Sequence, residues 1–169
     1  MARMSCSALL ALVPLSLVCG SGKAEDEPVE YDRTAVLAKL DEAAAKADDP
    51  EVKRALKKMR ECAERGNKLL TLSGLRTLPP EIGQLTNLTG LTLHDNQFTT
   101  LPPEIGKLTK LTELQIEKTP LTDTGLEHLK SLKSLKRLNV RDTKVTIAGV
   151  EAFRKELPNC EIKAPRQSP

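Results

Sequence analysis

Leucine and its apolar substitutes recur on a beat of 23 to 25 residues between residues 69 and 162. Three consecutive units read LTGLTLHDNQFTTLPPEIGKLTK (88–110), LTELQIEKTPLTDTGLEHLKSLKS (111–134) and LKRLNVRDTKVTIAGVEAFRKELPN (135–159). Self-similarity at this period means one supersecondary unit stacked on copies of itself, because a single unit cannot bury its apolar face alone. Such a stack fixes how a surface is displayed and leaves open what lands on it.

Each unit carries Leu-x-x-Leu-x-Leu or its Ile and Val equivalents, then two residues, then Asn96, Thr119 or Thr143. Alternation over Leu91-Thr92-Leu93 buries two leucines and exposes the residue between them, as a short strand must. Asn96 can satisfy backbone groups of the neighbouring turn, and a Thr can do so less completely. A shorter first unit, LLTLSGLRTLPPEIGQL, precedes these, and Cys160-Glu161-Ile162 supplies a last strand. Aromatic residues make up 2% of the 169-residue chain and Trp is absent, so the core must be aliphatic.

Quoted as they stand, LTGLTLHDNQFTTLPPEIG and LKRLNVRDTKVTIAGVEAF resemble leucine-rich repeat proteins, and the likeness covers about residues 69–162. The resemblance implies an α/β leucine-rich repeat solenoid: parallel strands on a concave face, turns or helices on the convex face, and service as a protein-binding scaffold. Two subtypes are spliced together. The first units use LPPEIG, which starts a short convex turn, whereas LTDTGLEHLKSL and VTIAGVEAFRKEL suit fuller convex helices. Ile147 stands where the preceding unit has Asp123, which leaves the start of the last helix open.

Ahead of the repeats, residues 34–66 carry two helical patterns. The second opens with Asp48-Asp49-Pro50, closes at Gly66, and keeps Val52, Ala55, Leu56, Met59, Cys62 and Ala63 on one stripe. An open solenoid needs its end layers covered, so this pair is expected to form a helical N-terminal cap on a repeat domain spanning residues 67–163. Residues 25–33 form a lead-in, acidic at its start, and 164–169 a tail expected to be disordered.

The first 24 residues read as a cleaved signal peptide: Arg3 is a positive start, residues 8–18 are apolar, and CGSGKA supplies small residues before cleavage after Ala24 or Gly20. The apolar stretch is too short to span a bilayer, which takes about 20 residues. Cys19 raises a lipid-anchored alternative, although Ser16-Leu17-Val18 departs from the lipobox pattern of Leu first and a small residue last. The chain is therefore expected to be exported, to the periplasm or beyond, touching a membrane only if Cys19 is lipidated. Removing residues 1–24 takes away Arg3 and Lys23 and no acid, leaving 24 basic against 23 acidic residues. A chain so near neutrality carries no footprint for nucleic acid.

The candidate site is the concave face. Its outward side chains are expected in three rows: Thr71, Thr92, Gln115, Asn139 and Glu161; Ser73, His94, Glu117, Arg141 and Lys163; and Gly90, Glu113 and Arg137. Thr92, His94, Glu113, Gln115, Glu117, Arg137, Asn139 and Arg141 are the candidate protein-binding residues. Glu113 and Arg137, like Glu117 and Arg141, lie 24 residues apart, so each pair is expected to bond across adjacent strands. Five strands at ~4.8 Å spacing cover roughly 20 Å. That is a few hundred Å², against ~800 Å² per partner in a standard interface. The partner is then small or weakly held, or the edges and cap contribute.

Chemistry beyond binding finds little support. His94-Asp95 lacks a nucleophile at its side, two His residues make no metal-ligand spacing, and no glycine-rich phosphate loop is present. No catalytic, cofactor or metal site is expected. Cys62 and Cys160 belong to opposite ends of the stack, too far apart for the ~7 Å limit between bridged Cα atoms, and both read as small buried hydrophobes. The expected function is a monomeric, non-enzymatic protein-binding module; the alternative is a structural cell-envelope component.

Overall fold

The computed structural model describes residues 31–164. The signal and lipid-anchor readings of residues 1–24, most of the lead-in and nearly all of the tail lie outside the described residues.

Two helices come first. α1 (Arg33–Lys46) is capped by Asp32, whose carboxylate accepts from the N–H groups of Thr34 and Ala35. α2 (Pro50–Arg65) has Asp49 as its N-cap, accepting from Glu51 N–H at 2.7 Å, with proline at the first helical position, where its missing N–H loses no bond. Gly66 ends α2 in the left-handed region, φ 64°, and returns its N–H to the last turn. α2 buries Ala55, Leu56, Met59, Cys62 and Ala63, and α1 buries Val36 and Leu40. These side chains join one core with the leucines of the repeats. α2 packs against the first strand, and α1 against α2 and the first convex turn.

Five three-residue strands follow: β1 (Leu69–Thr71), β2 (Gly90–Thr92), β3 (Glu113–Gln115), β4 (Arg137–Asn139) and β5 (Glu161–Lys163). They pair in sequence order, all parallel. Leu70, Leu91, Leu114 and Leu138 stack as register partners and are buried; Ile162, the last of the row among the described residues, is half-buried. The bonding continues one residue past each strand, from Leu72 N–H to Thr92 C=O, Leu93 to Gln115, Ile116 to Asn139 and Val140 to Lys163. Each fully buried Leu contributes roughly 1.5–3 kcal/mol, so the layered leucines outweigh any exposed ion pair.

Every unit turns at the same place. Gly74, Asp95, Lys118 and Asp142 each stand three residues past a strand with φ between 51° and 70°. Only the first repeat uses the residue for which that conformation is free of strain; the others hold side chains there, where Asp is better tolerated than Lys.

On the convex side, both LPPEIG units form 3₁₀ turns, Pro80–Gln84 and Pro103–Lys107. Their close stacking requires Gly83, since a Cβ there would come within 2.6 Å of the Glu104 carbonyl. The third unit holds less helix than its leucine spacing predicts: α3 (Asp123–Glu127) is five residues long. Only α4 (Ile147–Glu156) is a full helix. Thr122 and Thr146 stand at the N-caps of α3 and α4, so Asp123 and Ile147 occupy equivalent first positions. Asp123 reaches to the next repeat, accepting from Thr146 N–H at 2.8 Å and Thr146 Oγ1 at 2.7 Å. Ile147, in the last repeat among the described residues, is 45% exposed.

Candidate functional site

Because the strands are parallel and in register, residues at equal positions line up across the sheet. One row runs Leu69, Gly90, Glu113, Arg137, Glu161, and the other Thr71, Thr92, Gln115, Asn139, Lys163. This corrects the expected rows at their C-terminal end: Glu161 lies beside Arg137 and Lys163 beside Asn139, two residues from where alternation placed them. Cys160 is buried ahead of β5, and Ile162 takes the place in the leucine row. Strand alternation repeats every two residues, so a slip of two leaves the in–out pattern unchanged.

Glu113 is the hub of the face. It accepts from Gln115 Nε2 at 2.8 Å and from Arg137 Nη2 at 2.6 Å. These two bonds, the Gln115 one first, hold its carboxyl below the usual Glu range. The Glu113–Arg137 pair therefore forms across adjacent strands, as the spacing predicts. Glu117 and Arg141 do not pair. Asn139 Nδ2 donates to Glu117 Oε1, and Asn139 Oδ1 accepts from the Arg141 backbone N–H, leaving the Arg141 side chain exposed. Arg141 lies at the in-register interval from Glu117, but Asn139, the register partner of Gln115, reaches Glu117 diagonally and takes its Oε1.

His94 carries no catalytic geometry. Its buried Nδ1 lies 3.7 Å from Asp95 Oδ2, too far for a hydrogen bond, and finds no other partner among the described residues. Among the described residues, no group of three or more His, Cys, Asp or Glu could hold a metal ion. Cys62 and Cys160 are free and buried. Burial pushes both thiols up, with the Glu161 charge adding to the effect at Cys160.

At the centre, Glu113, Gln115, Arg137, Asn139, Glu161 and Lys163 rim a depression of about 40 Å³ floored by Leu114 and Leu138. A small-molecule pocket takes roughly 300–1,000 Å³, so this is a textured surface and not a chamber. The face also divides. Toward β1 it is uncharged, with Thr71, Thr92 and an exposed Leu69 (70%) whose side chain lies over Gly90. Toward β5 it is a mosaic of both signs. Sequence reasoning listed Gly90 as outward and missed Leu69, although the alternation of Leu69-Leu70-Thr71 was the signal for it. Gly90 is buried because Leu69 fills the space a side chain there would need, 2.5 Å from its Cβ position.

Residues 68–159 match the family described as leucine-rich repeat region. A solved structure of a leucine-rich repeat protein from Leptospira interrogans is 37% identical over 56% of this chain and 24% of that one, with a TM-score of 0.47. The match thus spans about a quarter of that protein's length. No curated protein matches this chain.

Proposed function

This chain belongs to the leucine-rich repeat family, and from that premise we propose that it is a non-enzymatic module whose concave face binds a protein partner. The observation that carries the reading is the central mosaic: Glu113, Gln115, Arg137 and Asn139 stand in register on adjacent strands, Glu113 bonded to both Gln115 and Arg137 and Asn139 bonded to Glu117, and the group is open to one side. Preorganised polar groups around a shallow depression suit the backbone and side chains of another protein better than an enclosed metabolite. We further propose, from the pattern of residues 1–24, that a cleaved signal exports the chain, so that the encounter takes place outside the cytoplasm with the chain acting as a monomer.

Gln115 sits between Thr92 and Asn139 in the register row, so it is the position to probe. A photo-crosslinker there, read in native cells by mass spectrometry, should trap one dominant protein. Gln115→Arg, in a chain without the crosslinker, should abolish binding of that protein while leaving the thermal unfolding of the domain cooperative. A folded variant that keeps its partner moves the site off the concave face.

A further inference from the structure

The outer edge of β1 faces a groove, not solvent alone. In the parallel ladder, Lys68, Leu70 and Leu72 bond toward β2, so the backbone of Leu69 and Thr71 points the other way. On that side lies α2. Lys58, Glu61, Cys62 and Arg65 form one wall, Asn67, Leu69, Leu70 and Thr71 the other, around about 150 Å³. That is half or less of what a small-molecule site takes, but its shape is that of a strand edge with an open slot beside it.

The helical wall is basic. Arg54, Lys58, Glu61 and Arg65 fall on one stripe of α2 at helical spacing, and Arg54 reaches over Gly74 beyond the end of β1. Three cations therefore stand with a single acid. Among the described residues, none of Arg54, Lys58 and Arg65 forms an ion pair, whereas Arg60 on the same helix pairs with both Asp41 and Glu64.

The chain enters the described structure beside this groove. Arg33 Nη1 donates to the Glu64 carbonyl at 3.1 Å, next to Arg65, and Tyr31 packs on the core by Cys62. The six residues before Tyr31 read Glu25-Asp26-Glu27-Pro28-Val29-Glu30, four acids around one apolar pair. Six extended residues reach about 20 Å, twice the ~10 Å length of a three-residue strand.

From this we infer that residues 25–30 dock in the groove between α2 and β1, their carboxylates on Arg54, Lys58 and Arg65 and Pro28-Val29 against Leu69. Docked there, the segment covers the exposed strand edge and borders the uncharged end of the concave face. It thereby acts as an internal competitor for any partner that approaches Leu69 and Thr71. The inference does not depend on what the concave face binds.

The groove holds its own reporter, because Cys62 lines it and Cys160 lies at the other end of the sheet. In the full-length chain, E25Q/D26N/E27Q/E30Q should raise the alkylation rate of Cys62 and the hydrogen-exchange rate of the Thr71 amide about tenfold, with Cys160 unchanged. Tenfold corresponds to a segment docked ~90% of the time. Raising salt from 0.05 to about 1 M should speed both readouts in the native chain, since exposed ion pairs are screened. K58E/R65E should match the neutralised segment in Thr71 exchange, a readout that does not follow the charge near the thiol. Equal Cys62 and Thr71 rates in native and neutralised chains, with both folded, overturn the inference.

Discussion

Asn96 and Thr143 hold the same place in their repeats and do different work. Asn96 is 3% exposed; its Nδ2 donates to the Leu72 carbonyl and its Oδ1 accepts from Leu75 N–H, so it stitches two backbone groups of the preceding repeat. Thr119 keeps one such link, from Oγ1 to the Leu93 carbonyl. Thr143 keeps none: its hydroxyl turns back to Val140 of its own unit. The link reappears on the convex side, where Thr122 Oγ1 reaches the Thr99 carbonyl and Asp123 takes both hydrogens of Thr146. Along one solenoid, the polar tie between neighbours moves from a buried turn to a half-exposed helix cap. Burial sets its worth, since an unsatisfied group in the core costs about 1–3 kcal/mol and one that water can reach costs far less.

The contrast is open to direct attack. Asn96→Ala strands a buried carbonyl and a buried N–H, and should destabilise the domain by about 3 kcal/mol in urea unfolding. A loss under ~1 kcal/mol would mean the turn re-forms without it. Asp123→Ala removes the convex tie and should cost about 1 kcal/mol, in the range of a lost cap; a double-mutant cycle with Thr146→Ala should show that most of this is their mutual interaction. Thr143→Ala, which breaks only bonds within its own unit, to the Val140 carbonyl and from Val145 N–H, should cost roughly 0.5 kcal/mol. If it matches Asn96→Ala, the position and not the bond across repeats is what matters.

The smallest effect belongs to the concave face. The carboxyl of Glu113 is depressed by Gln115 and Arg137, so its contribution is fully present above the unfolded value of about 4.3 and fades as pH falls through the lower folded value. As an exposed pair it should stabilise by less than ~1 kcal/mol at neutral pH. Comparing Glu113→Gln with the native chain, any difference in urea midpoint at pH 7 should shrink once the pH drops under the unfolded Glu value and close when it falls below the depressed folded one. A difference that persists there would assign the effect to packing.

Much of this was readable in the residues, and the misreadings share a cause. The beat of Leu70, Leu91, Leu114 and Leu138 placed four strands, and the 24-residue interval between Glu113 and Arg137 placed an ion pair that the sheet forms. The same interval suggested Glu117 with Arg141, where the competing reach of Asn139 decided otherwise. Leucine spacing likewise overstated the helix in the third unit, which stops at Glu127.

By itself the sequence determined the stack, its aliphatic core and the parallel order of strands, because in a repeat each residue meets its own counterpart one unit away and local pattern becomes global register. The tertiary structure alone decided the register of β5, the cover of Leu69 over Gly90 and the meeting of the basic stripe of α2 with the free edge of β1. Those contacts join unlike partners. No periodicity encodes them, and only the packing of one whole element on another brings them together.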